Sequence, residues 1–278
     1  MIPTSEQAHT LTVPADRRLL DVAADALAMG RYLPVDAQLA TTTAGGSASA
    51  LVPGPRALGY GSPDAWLVEA PAGTVSEATV TWRTAALPPS GRTVVGRFRR
   101  GLAVWQAAAR LSAVRPAGLV ALDVCNLAAG AWLLGTDDGT ERALVARLEG
   151  DADAVARGHR AVWQAVELER GEPYVFEQVR GPWVWGPVLA APAPGAVLLR
   201  WEAPPDLLPL LVDALDEAAG IVGPVSSRSH VALGVLHGTL PPGPRQVEAR
   251  RWLTGVTQGT GARMEEIMAD LTPQPQGG

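Results

Sequence analysis

Three observations predict an α+β fold. From about residue 85 onward, runs with a two-residue apolar period alternate with runs of helical period. Their order is strand, helix, strand, strand, helix, and it occurs twice, as two β-α-β-β-α halves; antiparallel strands in such an order form a sheet that helices cover on one face. Hydrophobic residues are 47% of the 278 and charged residues 18%, enough to give that sheet a substantial core.

The chain opens on a short strand and a helix in "TLTVPADRRLLDVAADALAMGRYLP". Leu19, Leu20, Ala23, Ala26 and Leu27 share one helical face, Asp16 is placed to cap it, and Gly30 ends it. Residues 34–73 keep no period and are rich in Gly, Pro and Ser, so they read as loops with short strands. "SEATVTWRT" closes this part as a strand. The first half then runs through "TVVGRFR" (strand), "GLAVWQAAARLSAV" (helix), "GLVALDVC" and "ALVARLEG" (strands, with "GAWLLGT" beside the latter) and "DADAVARGHRAVWQAVELER" (helix). The second half is "AVLLRWEAP" (strand), "PDLLPLLVDALDEAAG" (helix), "IVGPVSS" and "HVALGVLHG" (strands) and "GPRQVEARRWLTGVTQ" (helix). A Trp- and Pro-rich connector, "VRGPWVWGPVLAAPAPG", joins the halves. Met264, Ile267, Met268 and Leu271 share a face of a last helical turn before a disordered "TPQPQGG" tail. The expected division is residues 1–84, 85–260 and a terminal helix and tail, 261–278.

Composition removes several classes of function. A net charge of -5 argues against nucleic acid, and Arg97, Arg99 and Arg100, the one dense basic patch, read as a solvated strand end. The single Cys125 lies in the apolar "GLVALDVCNL" and reads as a buried, inert thiol. The polar "MIPTSEQAHT" start lacks a signal pattern and no apolar run reaches the roughly 20 residues of a membrane span, so the expected location is the cytoplasm. The chain has no lysine, which excludes a Schiff-base lysine and a Walker-A loop.

The glycine-rich "TAGGSASALVPGPRALGYGS", residues 43–62, suits either a plain turn or backbone on which a phosphate or flat ring can lie. In context it carries a resemblance. "LTVPADRRLLDVAADALAMGRYLPVD", "TTTAGGSASALVPGPRALGYGSPDAW", "GTVSEATVTW" and "AVLLRWEAPPDLLPLLVDAL" follow one another as corresponding segments do in the FAD-linked oxidases of the vanillyl-alcohol oxidase (PCMH) type. The second segment is similar to that family's "T-x-GG…GPR-x-x-YGS-x-x-D" pattern, and the whole looks closest to the smaller FAD-binding subunit of bacterial glycolate oxidase. The resemblance implies a PCMH-type FAD-binding domain followed by a cap-like antiparallel sheet. It also implies flavin contacts from Thr43, Ala44, Gly45, Gly46, Tyr60, Gly61 and Ser62, and a 2-hydroxy acid as substrate. The expected partner is a larger flavoprotein or an iron–sulfur subunit.

The same comparison predicts a degraded flavin site. The family grips FAD with a glycine-rich loop that should precede residue 10, and with several dozen residues between "YGS" and the exit strand. Here Ser62 and Gly73 are only eleven positions apart. The sequence therefore predicts an accessory, non-catalytic subunit. The alternatives are an FAD-dependent subunit completed by a partner chain and a cofactor-free scaffold for a small apolar ligand.

"SHVALGVLHG" spaces His230 and His237 as in the "H-x-G-D-G-N-x-H" stretch of related D-2-hydroxy-acid dehydrogenases. That resemblance implies a divalent metal on both rings, with Leu233 and Val235 in place of the Asp and Asn. On the residues alone, the alternation of Val231, Leu233 and Val235 reads equally as a core strand. His159 reads as a half-buried helix residue, "LEGDADA" as a helix start favoured by the dipole, and "GTDDGTE" as a turn. Trp183, Trp185 and Trp201 either pack a core or line an apolar pocket.

Overall fold

The computed structural model describes residues 9–37, 41–70, 78–99, 101–126, 142–177, 193 and 195–267. Strand β1 (His9–Pro14) leads to helix α1 (Leu19–Ala28), whose buried face of Leu19, Val22, Ala23 and Ala26 is the stripe its apolar spacing predicts. Asp16 does not cap it. Arg18 holds that position with no capping bond from its side chain, which pairs with Asp21, and the Leu19 amide is satisfied by the Thr42 carbonyl instead. After β2 (Arg31–Tyr32), the glycine-rich segment expected as loop forms two short helices, α2 (Ala44–Ala50) and α3 (Ala57–Tyr60). Then β3 (Leu67–Glu69) and β4 (Thr79–Ala86) complete a small antiparallel sheet in which β4 pairs with β1 on one edge and with β2 and β3 on the other. Trp66, Trp82, Leu19 and Val80 are fully buried in its core.

The larger sheet begins with β5 (Ser90–Phe98) and α4 (Gly101–Val114), then β6 (Leu119–Asn126), β7 (Arg142–Gly150), α5 (Ala152–Leu168) and β8 (Glu172–Glu177). It continues with β9 (Val197–Glu202), α6 (Leu208–Val222), β10 (Ser226–His230), β11 (Val235–Leu240), α7 (Gln246–Thr260) and β12 (Arg263–Ile267). These eight strands pair antiparallel in the order β12-β9-β11-β10-β6-β7-β5-β8. α4, α5, α6 and α7 pack on the face carrying Leu122, Leu144, Leu148, Leu199, Trp201 and Leu236. The mixture of helix and antiparallel sheet matches the predicted class.

Three local expectations fail. Met264 and Ile267 lie on a strand, β12, paired with β9, not on a terminal helix; the edge of β9 offers backbone partners that two apolar side chains on a lone turn would lack. Met268 and Leu271 lie outside the described residues. The helix expected to run to Arg170 ends at Leu168, and the unassigned "EPYVFE" forms β8. "HVALGVLHG" is not one strand: His230 ends β10, Val231–Leu233 make a 3-10 turn, and β11 starts at Val235. Among the described residues no helix is long and apolar enough to cross a membrane.

Candidate functional site

The residues implied for flavin contact fall at the start of α2. Thr43 is the N-cap, and its hydroxyl accepts from the Gly46 amide at 3.0 Å. The Ala44 amide donates to the Arg17 carbonyl and the Gly45 amide to the Ala15 carbonyl, both at 2.8 Å, and the Ser47 amide donates to the Thr43 carbonyl at 2.9 Å. Gly45 is tight against β1: a Cβ there would stand 2.9 Å from that of Ala15 and 3.0 Å from its carbonyl oxygen. The glycine serves helix–strand contact. A diphosphate carries about two negative charges and needs several free N–H donors or an open helix start. Every amide from Ala44 to Ser47 is already bonded inside the chain, so these residues do not fit the group. Further along, the Gly61 amide donates to Ala57, the Ser62 carbonyl accepts from Ala65, and the Tyr60 hydroxyl is engaged elsewhere.

That hydroxyl belongs to a buried knot joining the small sheet to the face of the large one turned away from the helices. Tyr60 donates to Glu149 at 2.5 Å, Tyr32 donates to the other carboxylate oxygen at 3.2 Å, and Arg147 Nε donates to it at 2.8 Å. Arg56 bonds the Tyr32 hydroxyl, lies 4.9 Å over its ring, and places Nε 2.6 Å from Asp36, whose second oxygen accepts the Arg56 amide at 2.9 Å. Burial raises the tyrosine pKa values, which keeps both hydroxyls protonated as donors. Burial alone would lower Arg56, but Asp36, Tyr32 and Glu149 together more than offset it. The knot is complete.

A second cluster lies farther along the same face, on β6, β10, β11 and β9. Register sets Arg228 opposite Cys125 on one side and His237 on the other, and His237 opposite Arg200. Asp123 accepts from Arg228 Nε at 2.6 Å and bonds His230 Nδ1 at 2.8 Å. Burial would raise the Asp123 pKa, but the His230 and Arg228 charges prevail and lower it. The rings of His230 and His237 meet edge to face with centroids 5.1 Å apart. This depends on the turn: Gly234 holds φ +67, and a Cβ there would lie 2.2 Å from the Ala203 carbonyl oxygen. Burial first, then the positive charges of His230, Arg200 and Arg228, push the His237 pKa well below its usual value, so the ring is neutral. His230 Nε2, both nitrogens of His237, and Arg200 Nε are buried with no hydrogen-bond partner among the described residues. Arg200 uses its other nitrogens on Glu202 and Glu265, each at 2.6 Å.

The sequence found the two histidines; it missed Asp123, Arg228 and Arg200, which cross-strand register supplies. An Asp inside "GLVALDVC" was the one available signal, because a carboxylate in a core strand needs a partner. Two imidazoles supply two ligands where a divalent ion wants a third, and no group of three ligating residues suited to a metal occurs among the described residues. Cys125 is buried, its pKa pushed up to about 12 by that burial, and inert. His159 is half-buried beside Arg92, Asp151 caps α5, and Trp201 sits in the helix-covered core with its indole N–H on Thr257. Trp183, Trp185, "GAWLLGT" and "GTDDGTE" lie outside the described residues.

No protein-family model matches the sequence, and no curated protein does. Solved structures do. Alkyldihydroxyacetonephosphate synthase superposes with a TM-score of 0.67 at 10% identity, over 94% of this chain and 60% of that one, and in a second crystal form with 0.63 at 11%, over 91% and 59%. The VAO-type flavoprotein MtVAO615 from Myceliophthora thermophila C1 gives 0.62 at 16% identity, over 92% of this chain and 59% of that one. The fold is thus that of the vanillyl-alcohol-oxidase-type flavoproteins. The chain spans about 60% of the length of the structures it matches.

Proposed function

We propose that this chain is a companion subunit of an FAD-linked 2-hydroxy-acid oxidoreductase of the glycolate oxidase kind, and that it holds no flavin of its own. The fold supports the relationship. The observation that carries the absence of flavin is the start of α2, where the amides of Ala44, Gly45, Gly46 and Ser47 all bond within the chain. The chain associates with a larger flavoprotein that performs the oxidation. Thermal unfolding with added FAD tests this. A true site at 100 times its Kd adds about 2.7 kcal/mol, several degrees in Tm, whereas the expected shift is nil. Protein that purifies yellow and releases stoichiometric FAD on denaturation overturns the reading.

The unpartnered nitrogens of His230, His237 and Arg200 favour a second reading of the sheet face, as the place where the small acid itself binds. A carboxylate and its neighbouring hydroxyl or keto oxygen supply the acceptors and donor that these atoms lack. Calorimetric titration with glycolate, in wild type and in His237→Leu, decides: heat in the first and none in the second is expected. No heat in wild type ends this reading.

A further inference from the structure

The geometry points to a one-electron redox site at Tyr60, which gives an electron to a strong oxidant such as an oxygen-centred radical while its hydroxyl proton passes to Glu149. Removing an electron from a phenol leaves a strongly acidic hydroxyl, so a shielded tyrosine yields its electron readily only where a base stands on that proton. The Tyr60 hydroxyl lies 2.5 Å from Glu149 Oε2, the length of a charge-assisted O–H···O bond. Tyr32 and Arg147 Nε both donate to the other oxygen, Oε1, at 3.2 and 2.8 Å. Among the described residues Tyr60 is thus the sole donor to Oε2. Burial raises the Tyr60 pKa, so no phenolate stands ready and the electron leaves only as the proton does. In that step the Tyr60 O–H bond breaks, an O–H bond forms on Oε2, and the oxidant takes up the electron. A neutral tyrosyl radical remains beside a protonated Glu149.

Electrostatics select Tyr60 over the other two tyrosines of the chain. Tyr32 shares the carboxylate, but Arg56 donates to its hydroxyl and lies 4.9 Å over its ring, and a cation in both places opposes withdrawal of an electron. Tyr174 is exposed, with its hydroxyl on Glu172 at 3.1 Å. Tyr60 is half-buried, so an oxidant in solvent can approach its ring, whereas Tyr32 is buried. The Tyr60 ring is held between two others, with centroids 5.5 Å from Tyr32 and 6.3 Å from the buried Trp66, which meets it edge to face. Trp66 also donates its indole N–H to the Tyr60 carbonyl at 2.9 Å. These contacts keep the hydroxyl on its base. The bonds that fasten the two layers therefore also set a proton acceptor on an oxidisable ring, whatever the chain's relation to a flavoprotein.

The test uses the full chain, oxidised by photogenerated tris(bipyridine)ruthenium(III) and followed by transient absorption and electron paramagnetic resonance. In the double variant Tyr32→Phe, Tyr174→Phe, Tyr60 is the only tyrosine left, and a neutral tyrosyl radical is expected as in the parent. Its formation should slow in heavy water, because the proton moves with the electron. Adding Glu149→Gln, with circular dichroism unchanged, should slow it by about a hundredfold, as loss of a positioned base does. In Tyr60→Phe, Tyr174→Phe the tyrosyl signal should vanish although Tyr32 and Glu149 remain. The inference is overturned if the chain with Tyr60 alone yields only tryptophanyl radicals, or if its rate is equal in light and heavy water. A rate in the glutamine variant within about threefold of its parent also overturns it. Should a buried substitution prevent folding, the heavy-water comparison in Tyr174→Phe, which alters only an exposed hydroxyl, decides by the same criterion.

Discussion

The face of the large sheet turned away from the helices carries two buried polar clusters built in opposite ways. Around Glu149, one carboxylate receives two tyrosine hydroxyls and an arginine, and the neighbouring Arg56 is held by Asp36 and Tyr32. Around His237, the Asp123 carboxylate is equally well served, yet four buried nitrogens on His230, His237 and Arg200 face no partner among the described residues. Native proteins match buried polar groups almost everywhere, because an unmatched one costs about 1–3 kcal/mol. The first cluster is therefore a fastening between the two layers. The second leaves several nitrogens unmatched side by side, and that makes it the candidate site.

The largest effect separating them is expected at the fastening. Asp36→Ala leaves the Arg56 guanidinium buried without its counter-ion and the Arg56 amide without its acceptor. Breaking such a pair costs about 3–5 kcal/mol, read from the urea midpoint at constant m. A loss under about 1 kcal/mol would mean that water reaches Arg56, and the contrast with the histidine cluster would fail.

Acid should act on the second cluster. The folded state holds His237 below its usual pKa, so under about pH 6.5 the unfolded chain takes up a proton that the folded chain refuses. Stability is fully present above that pH and falls as pH drops, by up to about 1.4 kcal/mol per unit from this one group. Asp123, also lowered, stabilises the fold above about pH 4 and loses that contribution as pH falls through its folded value. Denaturation curves from pH 8 to 3 should slope down below about pH 6.5, and His237→Leu should flatten the slope above about pH 4 while leaving the fall below it. A parent curve that is level between pH 6.5 and 5 would show the ring to be solvated or protonated.

A smaller effect tests what brings the two rings together. Gly234→Ala puts a side chain against the Ala203 carbonyl at a φ that disfavours it, at a cost of more than about 1 kcal/mol. It should also shift the histidine ring resonances, since the turn sets their contact. Unchanged spectra would show that the hairpin does not depend on this glycine.

How much of this was legible in the sequence differs between the two layers. Apolar periodicity located each helix described on the large sheet, because each buries one stripe, as Val155, Val162 and Val166 do on α5. It failed at 230–237, where Val231, Leu233 and Val235 imitate an alternating strand although a turn intervenes; φ at Gly234, invisible to hydropathy, makes the difference. The glycine segment was misread as loop because its helix is held by contacts to residues some 30 positions earlier, Ala15 and Arg17, rather than by propensity. The site suffered most. Histidine spacing showed in one stretch, but Asp123, Arg200 and Arg228 reach it only through strand register, which a linear pattern does not carry.

The smallest expected effect is the most informative. His237→Leu replaces two unbonded buried nitrogens with hydrocarbon of similar bulk. In a protein whose imidazole does nothing but fill space, the change should be neutral or stabilising by up to about 1 kcal/mol at pH 8. Since His237 there is neutral, no charge is lost, and Asp123 keeps both His230 and Arg228. A loss of about 2 kcal/mol or more would mean that the nitrogens are bonded after all, and the difference between the two clusters would vanish. A neutral outcome for folding, joined to the loss of glycolate binding, would separate what this face does for the fold from what it does for a ligand, which Asp36→Ala at the other cluster cannot do.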